Sequence, residues 1–129
     1  MSAADLVIQI NPAARVQLRH YGEELNPLLV IDDVLLNPEQ LVETAAQTPF
    51  SAPEATFYPG LNAPLPPTYL QTLLPILRPS LMRAFDIGEG RLLSRAFFAL
   101  STLRVEDMQP LQKIPHYDQP DPRCLAMVH

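Results

Sequence analysis

The chain has 129 residues, 47% of them hydrophobic, and nine Lys and Arg against 14 Asp and Glu give a net charge of −5. That length suffices for one domain with its own core, and an acidic balance without any Lys/Arg cluster argues against a nucleic-acid-binding surface. No apolar run approaches the roughly 20 residues that cross a bilayer. The first residues lack the basic-then-apolar order of a secretory signal. A lone cysteine, Cys124, has no partner for an internal disulfide, so a cytoplasmic setting is the simplest expectation. Fifteen prolines, about twice ordinary usage, favour short strands and loops over a helix bundle.

Leu6-Val7-Ile8-Gln9-Ile10 is a β-branched run stopped by Asn11-Pro12, the pattern of an edge strand. Ala14 to His20 alternates loosely and predicts a second strand, turning at Tyr21-Gly22 and forming a hairpin with the first. Leu28 to Ile31 is a continuous apolar run of buried-strand type, broken by Asp32-Asp33. A helix start follows: Asn37 is placed to cap, Pro38 takes the first helical position and Gln40 completes a capping-box-like arrangement. The helix from Pro38 to about Gln47 puts Leu41, Val42, Ala45 and Ala46 on one face, and Pro49 ends it. Phe50 to Pro67, with five prolines and three aromatics, predicts a long loop with a turn at Phe57-Tyr58-Pro59-Gly60. Leu70, Leu73, Leu74, Leu77, Leu81 and Phe85 recur at helical spacing as a core stripe. Pro75 and Pro79 predict a kink there, or two short helices. After a turn at Gly88 and Gly90, Leu92 to Val105 reads as one or two central strands. Leu125 to Val128 begins another apolar strand. No internal repeat or linker divides residues 1–129, which read as a single domain.

The stretch Lys113-Ile114-Pro115-His116-Tyr117-Asp118-Gln119-Pro120 carries the candidate chemistry. On a strand, residues i and i+2 share a face, so His116 and Asp118 would converge on one small ion. An imidazole and a carboxylate are two thirds of the 2-His-1-carboxylate triad that holds non-haem Fe(II). The segment from Pro110 to Asp118, followed by Leu125-Ala126-Met127-Val128-His129, resembles an uncharacterised bacterial family related to the Fe(II)/2-oxoglutarate dioxygenases. Val30-Ile31-Asp32-Asp33-Val34-Leu35 and its capped helix are similar to the first strand and helix of prolyl-hydroxylase-like members.

The resemblance implies an α+β fold: a double-stranded β-helix, or jelly roll, with two or three helices packed on one sheet. It also implies Fe(II) and 2-oxoglutarate as cofactors, with His116 and Asp118 as metal ligands. In such proteins the distal His and a 2-oxoglutarate-binding Arg or Lys lie on later strands. His129 is too close to Asp118 for that role, and His20 matches no ligand position. Residues 1–129 are therefore expected to be the N-terminal portion of a longer, incomplete jelly-roll domain. The chemistry expected of the complete protein is oxidation of a C–H bond in a substrate the sequence does not name.

Two other readings compete. One is a non-catalytic fragment or degenerate relative acting in binding or assembly, as a homodimer that pairs the Leu125–Val128 strand with its mate. The other is a cupin-like metal enzyme, against which Asp118 stands where that family places a second His. Elsewhere the bland explanation is preferred. His116 and Asp118 themselves have one, a polar turn with Asp118 as its cap. Asp32 and Asp33 suit a strand-to-helix turn, Cys124 a small core position, His20 the surface, Arg104 an ion pair with Glu106 or Asp107, and Gln112 and Gln119 the surface.

Overall fold

Alternation from Arg15 to Tyr21 does produce a strand, but its partner is not the one the sequence suggests. In a computed structural model, which describes residues 6–54, 56–90 and 92–129, β1 (Arg15–Tyr21) pairs antiparallel with β2 (Asn26–Asp32). Leu18 lies opposite Leu29 and Tyr21 opposite Asn26. The chain reverses between Gly22 (φ 74°) and Leu25 (φ 55°). Gly22 takes that conformation freely, whereas a leucine takes it only when held by its surroundings. β2 ends where Asp33 turns left-handed (φ 56°). Arg15 reaches the Asp33 carboxylate at 3.3 Å, so the acidic pair belongs to the turn, as expected.

The predicted strand and hairpin at Leu6–Ile10 are not formed. The segment runs instead beside Val34–Leu36: Asn11 donates to the Val34 carbonyl at 2.9 Å and Leu36 to that of Gln9 at 2.8 Å, with one bridge between Ile10 and Leu35. Its period of two is real, because Leu6, Ile8 and Ile10 face the core while Val7 and Gln9 face out. Apolar burial, more than hairpin propensity, decides where it goes.

Helix α1 spans Glu39–Gln47, and Asn37 does not cap it through its side chain. Asn37 is buried, its Oδ1 accepting from the Gln9 N–H at 3.0 Å and its Nδ2 donating to the Val7 carbonyl at 2.7 Å. The Gln40 Oε1 has no partner, so no capping box closes. The inward face is also rotated from the predicted one. Leu41, Thr44, Ala45 and Thr48 are half-buried, while Val42 and Ala46 are exposed. The two threonine hydroxyls satisfy themselves by donating to carbonyls four residues back, both at 2.7 Å, which lets a polar pair occupy that face.

The predicted long loop contains a strand. β3 (Gly60–Pro64) pairs antiparallel with β4 (Phe97–Ser101), with Asn62 opposite Ala99. Prolines hid it from propensity, but Pro64 sits at its end, where a missing donor matters least. Of the predicted Leu92–Val105 strand only β4 is realised. Gly60 is obligatory in this pairing, because a Cβ there would overlap the Leu100 carbonyl.

Helix α2 (Pro67–Phe85) is continuous, with Pro75 and Pro79 inside it. The prolines are four apart and both exposed. The bond Pro79 cannot donate is the one to the Pro75 carbonyl, and the freed carbonyls can be hydrated on that face. The opposite face carries the core: Tyr69, Leu73 and Leu77 pack with Leu6. Ile8, Ile10, Ile31, Val34, Leu41, Leu65, Leu70 and Leu81 pack against that cluster, partly buried.

The architecture is α+β, with two separate two-stranded antiparallel sheets and two α-helices, and no closed barrel among the described residues. The predicted Leu125–Val128 strand is absent. Residues 114–129 form neither helix nor strand, since Pro115, Pro120 and Pro122 remove the donors that a ladder needs. Among the described residues no helix is long and apolar enough to cross a membrane.

Candidate metal centre

The approach to His116 is set by two short 3-10 turns, Val105–Asp107 and Pro110–Lys113. Gln109 and Gln112 cap the second reciprocally, with the Gln109 N–H donating to Gln112 Oε1 at 2.7 Å. Gln112 thus has a local structural partner. The chain then passes through Pro115 into a bend, and this bend, in place of the predicted strand, brings His116 and Asp118 together. Their side chains approach to 3.5 Å between Nε2 and Oδ1, and both are exposed.

The His116 ring is oriented by its own backbone. Nδ1 lies 2.9 Å from the Ile114 carbonyl oxygen, and a carbonyl only accepts, so Nδ1 carries the hydrogen. In the neutral ring the Nε2 lone pair is then left facing the carboxylate. Metal-bound histidines are held in this way, with the second ring nitrogen donating to a carbonyl or carboxylate. Two donors about 2.1 Å from one ion lie roughly 3.0 to 3.4 Å apart as the angle between them goes from right-angled to tetrahedral. The observed separation of 3.5 Å needs little adjustment to meet that range.

The next carboxylate along the chain is not available to join them. Asp121 is gripped by the Arg123 guanidinium, with Nη2 at 2.7 Å from Oδ2 and Nε at 3.0 Å from Oδ1, and it also accepts from the Arg123 N–H at 2.9 Å. These hydrogen bonds from Arg123 bring its pKa down to about 2. Among the described residues no third His, Cys, Asp or Glu completes a metal-binding group. The pair therefore fits two ligands of an ion and does not by itself make a triad.

The remaining candidates are dispersed. Cys124 is exposed on a turn, contrary to the core position expected of it, because its strand does not form. His20 is exposed on β1, as expected. Arg104 makes no ion pair with Glu106 or Asp107 among the described residues. His129 is placed where sequence reasoning did not look: the Tyr69 hydroxyl lies 2.7 Å from its Nδ1, with the rings 5.7 Å apart. Burial raises the Tyr69 pKa to about 12 and lowers that of His129, so both groups favour their uncharged forms, and one hydrogen bond joins the hydroxyl to the ring. This contact fastens the final segment to the start of α2. A concavity of about 310 Å³ is lined by Leu74, Pro75, Arg78 and Leu92. Arg78 is occupied there by the carbonyls of Glu89 and Gly90.

No curated protein and no solved structure is detectably similar to the chain. The sequence pattern of a family of unknown function, DUF6445, matches residues 12–129, and the chain belongs to that family.

Proposed function

We propose that this chain is the ligand-bearing portion of a jelly-roll oxygenase of the Fe(II)/2-oxoglutarate type, with His116 and Asp118 as two of its three protein ligands. The observation that supports this reading is the His116 ring, fixed by the Ile114 carbonyl so that Nε2 faces the Asp118 carboxylate at 3.5 Å. When bound, Fe(II) with 2-oxoglutarate would activate O2, which supplies the oxidising equivalents both for decarboxylating 2-oxoglutarate to succinate and for hydroxylating a C–H bond. The residues of this chain have simpler tasks. Ile114 holds the imidazole in one tautomer, Asp118 brings a negative charge to the ion, and Arg123 keeps Asp121 from competing for it. The distal ligand comes from polypeptide outside the described residues, and the outer edge of β4, which has no strand beside it among the described residues, is where further jelly-roll strands would add.

Titration of the purified full-length protein with Mn(II), followed by loss of the free-ion electron paramagnetic resonance signal, tests the site. Saturation at one equivalent is expected. His116→Ala and Asp118→Ala should each weaken binding at least as much as losing an outer-shell partner does, about 10- to 100-fold, while His20→Ala, exposed on β1, leaves it unchanged. Equal binding by the wild type and the His116→Ala/Asp118→Ala double variant would sink the reading.

A further inference from the structure

The accessible surface of the chain is 9955 Å². A folded monomer of 14.4 kDa exposes roughly 6,800 Å², and the excess is several times the about 800 Å² that each partner gives to a standard interface. Part of this surface lies on the β1–β2 hairpin. All seven residues of β1 are exposed, among them Val16 and Leu18 at 52% and 44%. One edge of β1 is paired with β2, and the other has no strand beside it among the described residues. An unpaired edge of this length is a template for another strand.

The sequence of β1 favours a second copy of itself. Antiparallel pairing about a two-fold axis perpendicular to the sheet sets residues of the same face opposite one another, so the axis must pass through a residue. Three centres keep most of the strand paired. Centring on Gln17 sets Arg15 against Arg19 twice, and centring on Arg19 sets that residue against itself; both oppose like charges, which is unfavourable. Centring on Leu18 places Leu18 on Leu18, Val16 on His20, Gln17 on Arg19 and Arg15 on Tyr21, with no like charges opposed. Arg19 and Gln17 already meet within one strand at 2.7 Å, so the two side chains are compatible neighbours on that face.

We propose that the protein forms a two-fold dimer through antiparallel pairing of β1 with β1 of a second copy, centred on Leu18, giving a four-stranded sheet in the order β2-β1-β1-β2. This surface is independent of the metal reading and uses different residues.

The test is sedimentation equilibrium of the full-length protein combined with disulfide trapping. In a Cys124→Ser background, Leu18→Cys sets two thiols directly opposite each other at a spacing a disulfide spans. Gln17→Cys leaves its thiols more than about 7 Å apart, too far to bridge. Mild oxidation should link the Leu18→Cys chains and leave the Gln17→Cys chains free. Gln17→Glu adds two opposite-charge pairs and should tighten the dimer, whereas Gln17→Arg adds two like-charge pairs and should loosen it, each by roughly two- to thirty-fold. A mass of one chain at every concentration overturns the proposal, as does equal trapping at positions 17 and 18. A monomer whose β1 amides resist exchange would show that the edge is covered within the polypeptide, which also overturns it.

Discussion

Replacing Asn37 measures what one buried side chain adds to the backbone bonds and apolar contacts that hold the N-terminal segment to the fold. In the structure that amide joins Gln9 N–H and the Val7 carbonyl at 3.0 and 2.7 Å and is only 8% exposed. Asn37→Ala removes both bonds at once. A polar group left without its partner costs about 1–3 kcal/mol when fully buried. Val7 and Gln9 lie on an exposed side, where water can replace part of the loss, so the lower end applies to each and the total is about 2 kcal/mol. With a urea dependence of about 1–3 kcal/mol per molar, the unfolding midpoint should fall by about 1 M. Asn37→Ser separates this role from helix capping. Serine caps as well as asparagine, so a capping role predicts no change, whereas the tether predicts a loss close to that of alanine, because the shorter side chain cannot span both groups. Amide exchange at Gln9 should quicken in both variants. A serine variant with wild-type midpoint and unchanged Gln9 exchange would refute the reasoning.

Gly60→Ala should lower the thermal midpoint by several degrees, in line with an overpacking cost of about 1–3 kcal/mol, because its Cβ meets the Leu100 backbone; unchanged melting would show that the β3–β4 pairing accommodates a side chain. The Tyr69–His129 contact should give stability a pH plateau. The His129 pKa lies below its ordinary 6.5, so the unfolded chain takes up the proton first, and this stabilisation is complete above 6.5 and lost as pH falls through the folded value. The Tyr69 pKa rises from 10.0 to about 12, so its share is complete below 10.0 and lost as pH rises through about 12. Urea midpoints measured across pH should show both limbs, with His129→Asn removing the acid one and Tyr69→Phe the alkaline one.

What the sequence discloses and what it hides divide along the range of the interactions. The alternation of β1, the apolar stripe of α2 and the end of α1 before Pro49 rest on neighbours a few residues apart, and all were legible. The partner of β1 was not, because the reversal depends on a left-handed Leu25, which propensity does not flag. Asn37 carries every local mark of a cap, yet its partners are backbone groups 28 and 30 residues away. Pro75 and Pro79 read as breakers one at a time; together, four apart on an exposed face, they leave the helix whole. His116 and Asp118 were visible as a pair, but the strand expected to align them does not exist, and a proline-rich bend aligns them instead. The Tyr69–His129 contact spans 60 positions and left no signal that spacing could reveal.

The Arg123 fork around Asp121 sets the charge that the neighbouring pair can present. With that carboxylate already matched by a guanidinium, a neutral His116 and an ionised Asp118 contribute a single negative charge. A divalent ion held there keeps an excess of one positive charge, which favours an anionic co-ligand over a neutral one. Shortening Arg123 would leave a second free carboxylate three positions along the chain, so the Asp121–Arg123 link governs how much negative charge this segment presents.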